Sequence, residues 1–413
     1  MASTAFTFPE LSDVRTTSAG ILTVLFIWGL YSPTSIGSVF STPLWVTSFC
    51  VLSALLLLLL VRNHGMGSTY LLGNSLLILA TLFAATIRSP FPDYSWGGML
   101  PFIPLVLLFA TNLRDLGFDG ALRPWLAMSN VINMVAGIAV VAHAERISDF
   151  IVNFYSFQYA ELVPEMMKGG LPVLTFGSHS IAAFFYYLFF WINFETYKTY
   201  KSRGNLVFAI CYIPLGCLVR SVTGVGFMLV AVLQLLQYGA KRNLKYTILG
   251  IVVMSMIAVG ILYYYVPYTE DWVAGAKVVS DIVTSPTGGF LGRFSQTGTL
   301  YTTVNYIRNN PFSPVGFGNR DDLMFGDSGP VEYMLRGSIV LVLLVYGGLF
   351  IFLRQNMLSR KYAWSLFLVI MAFETGYSSL GYDRLLCFLP VLVVYLNDLV
   401  RANQKLIATS PLP

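Results

Sequence analysis

An all-α, polytopic membrane protein of about twelve spanning helices is the fold class this sequence predicts, and three observations predict it. Of 413 residues, 56% are hydrophobic and only 11% charged, against about 25% charged in an average soluble domain. A chain this apolar cannot cover a globule with polar surface, which excludes a soluble fold. Long apolar runs alternate with short polar segments, as spanning helices of roughly 20 residues require; the shorter alternating strands of a membrane barrel are absent. Finally, Lys and Arg gather in every second connection, the bias that orients membrane proteins.

The spans are expected at 19–38, 43–61, 69–87, 97–112, 123–142, 177–196, 204–219, 222–239, 246–266, 331–353, 361–377 and 382–400. The fourth and eleventh are short. The seventh and eighth share one apolar run, Leu206 to Gly239, so a tight hairpin or kink is implied there. Fifteen of the 25 Lys and Arg fall in alternate segments, including Arg62, Arg123, Lys198, Lys201, Arg354 and Arg401. Both termini are therefore expected in the cytoplasm, with 143–176 and 267–330 outside. Residues 1–18 are polar and contain acids, without the basic start and cleavage site of a secretory signal, so the first span is expected to be retained.

The chain is read as a single transmembrane domain, 1–413. Segment 143–176 mixes aromatics, aliphatics and acids at helical spacing. It reads as an amphipathic helix in the interface or as a packed loop helix. No internal repeat of the kind found in transporters is visible. The four cysteines lie inside apolar runs and the three histidines are far apart. Neither a disulfide framework nor a metal site is suggested, and no cofactor is expected.

Residues 290–340 form the longest polar interval and hold Arg293, Arg308, Arg320 and Arg336. Pro311 to Gly318 cannot be a regular helix or a central strand. This cationic segment between spans is expected to close over an anionic substrate. Arg220 sits within an apolar run, where a cation is costly and faces a cavity or an anion, unless it snorkels to lipid phosphate. Ser221 or Thr223 can cap the returning helix, whose N–H groups would add to an anion site. Gly224 and Gly226 read as helix-packing residues. Arg293 and Arg308 can bind a diphosphate bidentately, or be solvated loop charges.

Asp327-Ser-Gly-Pro330 reads as a helix start, and Glu332 can pair with Arg336 four residues on. Asp327 and Glu332 are also the carboxylates nearest the loop arginines in sequence, where a hydroxyl acceptor would need a base. His179 begins the sixth span, as a cap or as a base. Glu374 to Tyr377 and Tyr382 to Arg384 form a polar cluster at membrane level; Arg384 pairs with Asp383 or reaches the cavity. Tyr301, Tyr306 and Tyr377 suit stacking on sugar rings, or anchoring at the interface.

Residues 308–345, RNNPFSPVGFGN through GDSGPVEYMLRGSIVLVLLVYGG, resemble the hallmark region of the O-antigen polymerase and ligase superfamily, in which an Asn-Pro-x4-Gly-x-Gly segment precedes a polar stretch opening a span. Arg220 and Arg293 also fall where that superfamily keeps arginines. The ligases have a histidine shortly after the Gly-rich turn, and this chain has none beyond His179, which favours the polymerase (Wzy) branch. The resemblance implies a GT-C-like, metal-independent, inverting glycosyltransferase of the bacterial inner membrane. It would join undecaprenyl-diphosphate-linked oligosaccharides at the periplasmic face, the large loop between spans nine and ten covering the active site. Arg220 and Arg293 would stabilise the leaving diphosphate, and Asp327, Glu332 or His179 would act on the acceptor hydroxyl. Arg308, Tyr301, Tyr306, Arg384 and Tyr377 would hold diphosphate and sugar. The partners implied are the lipid-linked donor and acceptor, the bilayer and a chain-length regulator protein, with no nucleic acid. Ligase and flippase are the rival readings.

Overall fold

A computed structural model describes residues 11–32, 42–62, 68–91, 93–94, 96–118, 120–154, 166–219, 221–240, 292–318, 322–323 and 328–409. The ninth expected span, 246–266, lies outside the described residues, as do Arg220, Arg320 and Asp327.

Among the described residues the protein is helical, with one isolated bridge between Tyr94 and Gly318. The principal helices are α1 (Leu11–Tyr31), α2 (Thr42–Arg62), α3 (Thr69–Ile87), α4 (Phe102–Ala110), α5 (Leu122–Val141), α6 (Glu145–Phe154) and α7 (His179–Tyr200). They continue with α8 (Arg203–Leu218), α9 (Val222–Ala240), α10 (Tyr301–Asn309), α11 (Gly329–Asn356), α12 (Arg360–Glu374) and α13 (Asp383–Thr409). Four of them, α3, α5, α11 and α13, have the length and apolar composition to cross a membrane, and shorter apolar helices accompany them. Large hydrophobics stand exposed on several of these helices, including Leu76, Leu77, Val135, Ile138 and Leu343. Apolar faces of that extent suit lipid rather than water. The protein is an all-helical membrane protein.

Local chemistry explains where the helices depart from the expected spans. The first ends at Tyr31 instead of residue 38, because the residue before Pro33 is pushed out of the helical region. The fourth is only nine residues long, and irregular chain carries it on to Phe118, whose amide donates to Asp398 at 2.7 Å. The expected hairpin falls between Leu218 and Val222. In α11 the backbone breaks at Gly337 (φ −147°) and Ser338 (φ 63°), freeing carbonyls that a loop then uses.

α7 occupies the centre, buried at nearly every position from Ile181 to Tyr197. α8 and α9 pack on it, α1 packs along α13, and α3 packs along α11. The segments 166–178, 292–318 and 375–382 meet at one end of the bundle, where Tyr382 Oη donates to Phe176 O at 3.2 Å. Contacts tie them there: Thr175 donates to Leu30 O at 2.8 Å, and Arg293 donates to Gly376 O at 2.8 Å. Segment 143–176 does hold a helix, α6, which buries Ser148 and Ile151 and exposes Phe150.

Candidate functional site

Two helix starts meet at the loop end of the bundle. Ser178 caps α7, its hydroxyl accepting from Ile181 N at 3.2 Å. Ser221 caps α9, accepting from Gly224 N at 3.3 Å. The hydroxyls of Ser180 and Ser221 lie 3.2 Å apart and tie the two starts together. Close approach of the helices depends on Gly224, where a Cβ would stand 2.7 Å from Ala183 Cβ; a Cβ on Gly226 would meet nothing within 4 Å among the described residues. Each helix start carries partial positive charge and unsatisfied N–H groups, and so favours an anion.

A cation and an imidazole stand beside these starts. His179 opens α7. Its Nδ1 is buried, with no hydrogen-bond partner among the described residues. Arg293 is close enough for its charge to act on that ring. It is half-buried, and its Nη1 is aimed by the Gly376 carbonyl. Thr223, in the first turn of α9, lies against Gly376. Arg220 immediately precedes Ser221 in the chain.

The turn that aims Arg293 is itself pinned by Glu374, which is fully buried. Its carboxylate accepts from Ser379 Oγ at 2.5 Å, Leu380 N at 2.7 Å and Tyr346 Oη at 2.9 Å. Gly329 allows the carboxylate to press on the start of α11, since a Cβ there would lie 1.7 Å from Oε2. Beneath the turn is an aromatic floor: Phe184 stacks on Phe373 at 4.2 Å, and Tyr377 leans on Phe373 at 5.9 Å.

The Pro/Gly-rich loop is irregular, as expected, and is held on two sides. Val315 N and Gly316 N donate to the carbonyls of Leu335 and Arg336, at 2.8 and 3.0 Å, where α11 breaks. Phe317 N donates to Thr86 Oγ1 at the end of α3, at 3.0 Å. Gly316 has φ +58° and sits where a Cβ would be 2.3 Å from Thr86 N. Arg336 pairs with Glu332 at 2.9 Å and donates to Gly316 O at 3.2 Å. The motif thus fastens α3, the loop and α11 together.

No protein-family model, curated protein or solved structure matches this chain.

The residues expected from sequence divide accordingly. His179 and Arg293 come together, beside the residue that follows Arg220. Glu332 is engaged by Arg336 at 2.9 Å. Tyr306 braces the loop, its hydroxyl donating to Ser313 O at 3.3 Å and its ring lying 5.8 Å from Phe91. Tyr377 belongs to the aromatic floor, Tyr301 is half-buried at the start of α10, and Arg308 is exposed at its end.

Arg384 is a correction. It is 1% exposed and donates to the carbonyls of Gly29, Leu30 and Ser32 at 3.3, 2.7 and 2.7 Å. These are the orphan carbonyls at the end of α1, so this guanidinium caps a helix and is sealed from any substrate. Its neighbour Asp383 accepts from Ser48 Oγ at 2.7 Å, and Trp28 Nε1 donates to that serine at 3.1 Å.

Glu374, read from sequence as part of a polar cluster at membrane level, was given no role there. The available signal was a carboxylate ending an apolar run, a costly placement that needs partners. Among the described residues no three His, Cys, Asp or Glu side chains are grouped as a metal site.

Proposed function

We propose that this protein is an O-antigen polymerase-type glycosyltransferase of the bacterial inner membrane, with twelve spans and its loop end in the periplasm. It extends a surface polysaccharide by joining undecaprenyl-diphosphate-linked oligosaccharides. One observation carries the reading. Arg293 and His179 share the loop end of the bundle with two helix starts, next to the residue that follows Arg220 in the chain. That arrangement supports binding of a diphosphate at membrane level. The superfamily-like motif at 308–345 supports the sugar-transfer assignment.

In the reaction, the acceptor hydroxyl attacks the anomeric carbon of the donor sugar as the bond to the lipid diphosphate breaks. Negative charge grows on the leaving diphosphate, and fixed positive groups lower that barrier most when they are preorganised. Arg293 is so held by Gly376, and Arg220 is the second cation. The acceptor proton passes to His179, the imidazole beside Arg293, or to Asp327.

A gene deletion tests the reading through the surface polysaccharide. A polymerase deletion leaves a single repeat unit on the lipid carrier or core; a ligase deletion removes all capped core; a flippase deletion leaves lipid-linked repeats on the cytoplasmic side. Complementation with Arg293→Ala or Arg220→Ala is expected to restore protein but not the ladder. Wild-type ladders from both variants exclude the arginines from the mechanism.

A further inference from the structure

The far end of α7 carries a cavity with polar groups in its lining. His179 and Tyr200 open and close this helix, and at 1.5 Å per residue its ends are about 30 Å apart. The cavity, about 250 Å³, lies between α5, α7, α8 and α13, and Arg123, Asn130, Thr196, Tyr200, Asn205 and Tyr395 line it. We propose that it binds a phosphate group, and so gives the protein a ligand site remote from the Arg293 cluster.

Hydrogen-bond donors outnumber acceptors in the lining of this cavity. The Arg123 guanidinium stands over the Tyr200 ring, 3.8 Å from its centre, an arrangement that holds a cation without neutralising it. It has no ion pair among the described residues. Ser202 precedes α8 without making a side-chain cap, so the first-turn N–H groups of Gly204 and Asn205 remain available at the cavity.

The floor is an amide ladder. Asn130 and Asn193 donate to each other's oxygen at 2.8 and 2.9 Å. Asn193 also donates to Phe189 O at 2.8 Å and accepts from Asn205 at 3.1 Å, which fills its bonding capacity. The oxygen of Asn130 also accepts from Tyr212 Oη at 2.9 Å. The second N–H of each of Asn130 and Asn205 therefore has no acceptor among the described residues, although Asn130 is 1% exposed.

The hydroxyls add no negative charge. Thr196 gives its proton to Ile192 O at 2.7 Å, so Tyr395 donates to Thr196 at 2.8 Å. Among the described residues no carboxylate lines the cavity. Asp398, whose charge reaches Tyr395, is engaged by Phe118 N at 2.7 Å and Arg401 at 3.0 Å. A cavity with a cation, spare backbone and amide N–H groups and no carboxylate is complementary to a tetrahedral oxyanion. The phosphate is that of a lipid headgroup from the adjoining leaflet or of a small soluble ester.

Native mass spectrometry of the full-length protein in a nonionic detergent separates these sources. It is titrated in turn with phosphatidylglycerol, glycerol phosphate and inorganic phosphate. One saturable equivalent is expected. Binding of the lipid alone assigns a headgroup, and binding of the soluble phosphates assigns an ester. Arg123→Ala is expected to weaken binding about tenfold, the loss of one charge-assisted contact. Asn205→Asp, which puts an anion at the floor, is expected to weaken it at least as much. Arg123 is exposed, so Arg123→Ala leaves the fold intact, and an unchanged melting temperature verifies that. Saturable binding of none of the three probes, or binding indifferent to Arg123→Ala, overturns the proposal. Neither result bears on the polymer ladder, which reads the other end of the bundle.

Discussion

Arg384 and Arg293 lie at the same end of the bundle, and the sequence assigned both to the substrate. Their surroundings oppose each other. Arg384 points into the end of α1, where it donates to three backbone carbonyls. Arg293 donates to the carbonyl of Gly376 and stands beside two helix starts. A helix end that presents carbonyls is negative and draws a cation inward as a structural clamp; a helix start that presents N–H groups is positive, and a cation beside it serves a third, anionic party. The polarity of the adjoining helix decides what each arginine does.

The sharpest way to break this comparison is Arg384→Met. It leaves the carbonyls of α1 and the carboxylate of Asp383 buried with too few donors. Removing one member of a buried charged network costs about 3–5 kcal/mol. The expected result is protein that aggregates on extraction or melts far below wild type, with polymer lost through loss of protein. Well-folded Arg384→Met protein without polymer would return Arg384 to the substrate site.

Gly316→Ala should act next most strongly. The left-handed backbone alone costs about 1–3 kcal/mol for a residue with a Cβ, and the new methyl would meet the backbone of Thr86. The loop is expected to detach from α3, so limited proteolysis should cut within 310–318 well before wild type is cut. Glu374→Ala follows. It leaves Ser379, Leu380 N and Tyr346 without their shared acceptor, at about 1–3 kcal/mol per buried group left unpaired, and it unpins the turn that aims Arg293. Polymer is expected to fall further than the drop in melting temperature explains.

These cases mark what the sequence made legible. Helix positions were legible because apolar runs carry them: α2, α3, α5, α8 and α9 lie within two residues of the expected spans. The ends that moved did so for local reasons, such as Pro33 beyond α1 or the break at Gly337 and Ser338. Pairing of Glu332 with Arg336 was legible from spacing alone, because both sit on one helix face. The roles of Arg384 and Glu374 were not. Arg384 meets carbonyls some 350 positions away in the chain, and local spacing carries no trace of such contacts. Glu374 was visible as a carboxylate in an apolar run, but its three donors come from a turn and from another helix.

The smallest effects on stability should come from arginines less buried than Arg384, and there the comparison sharpens. Arg293→Ala removes, from a half-buried site, the hydrogen bond to Gly376 O, which is worth about 1 kcal/mol; the protein should stay folded, yet the ladder should be abolished. Arg308→Ala removes an exposed side chain at the end of α10. Surface substitutions of that kind stay within about 0.5 kcal/mol, and its effect on polymer should be slight, because no helix start or imidazole stands beside it among the described residues. Melting temperature and ladder length, measured together on both variants, decide the matter. If Arg308→Ala shortens the polymer as severely as Arg293→Ala while both proteins remain folded, the anionic group lies along the exposed flank of α10 and not at the paired starts of α7 and α9.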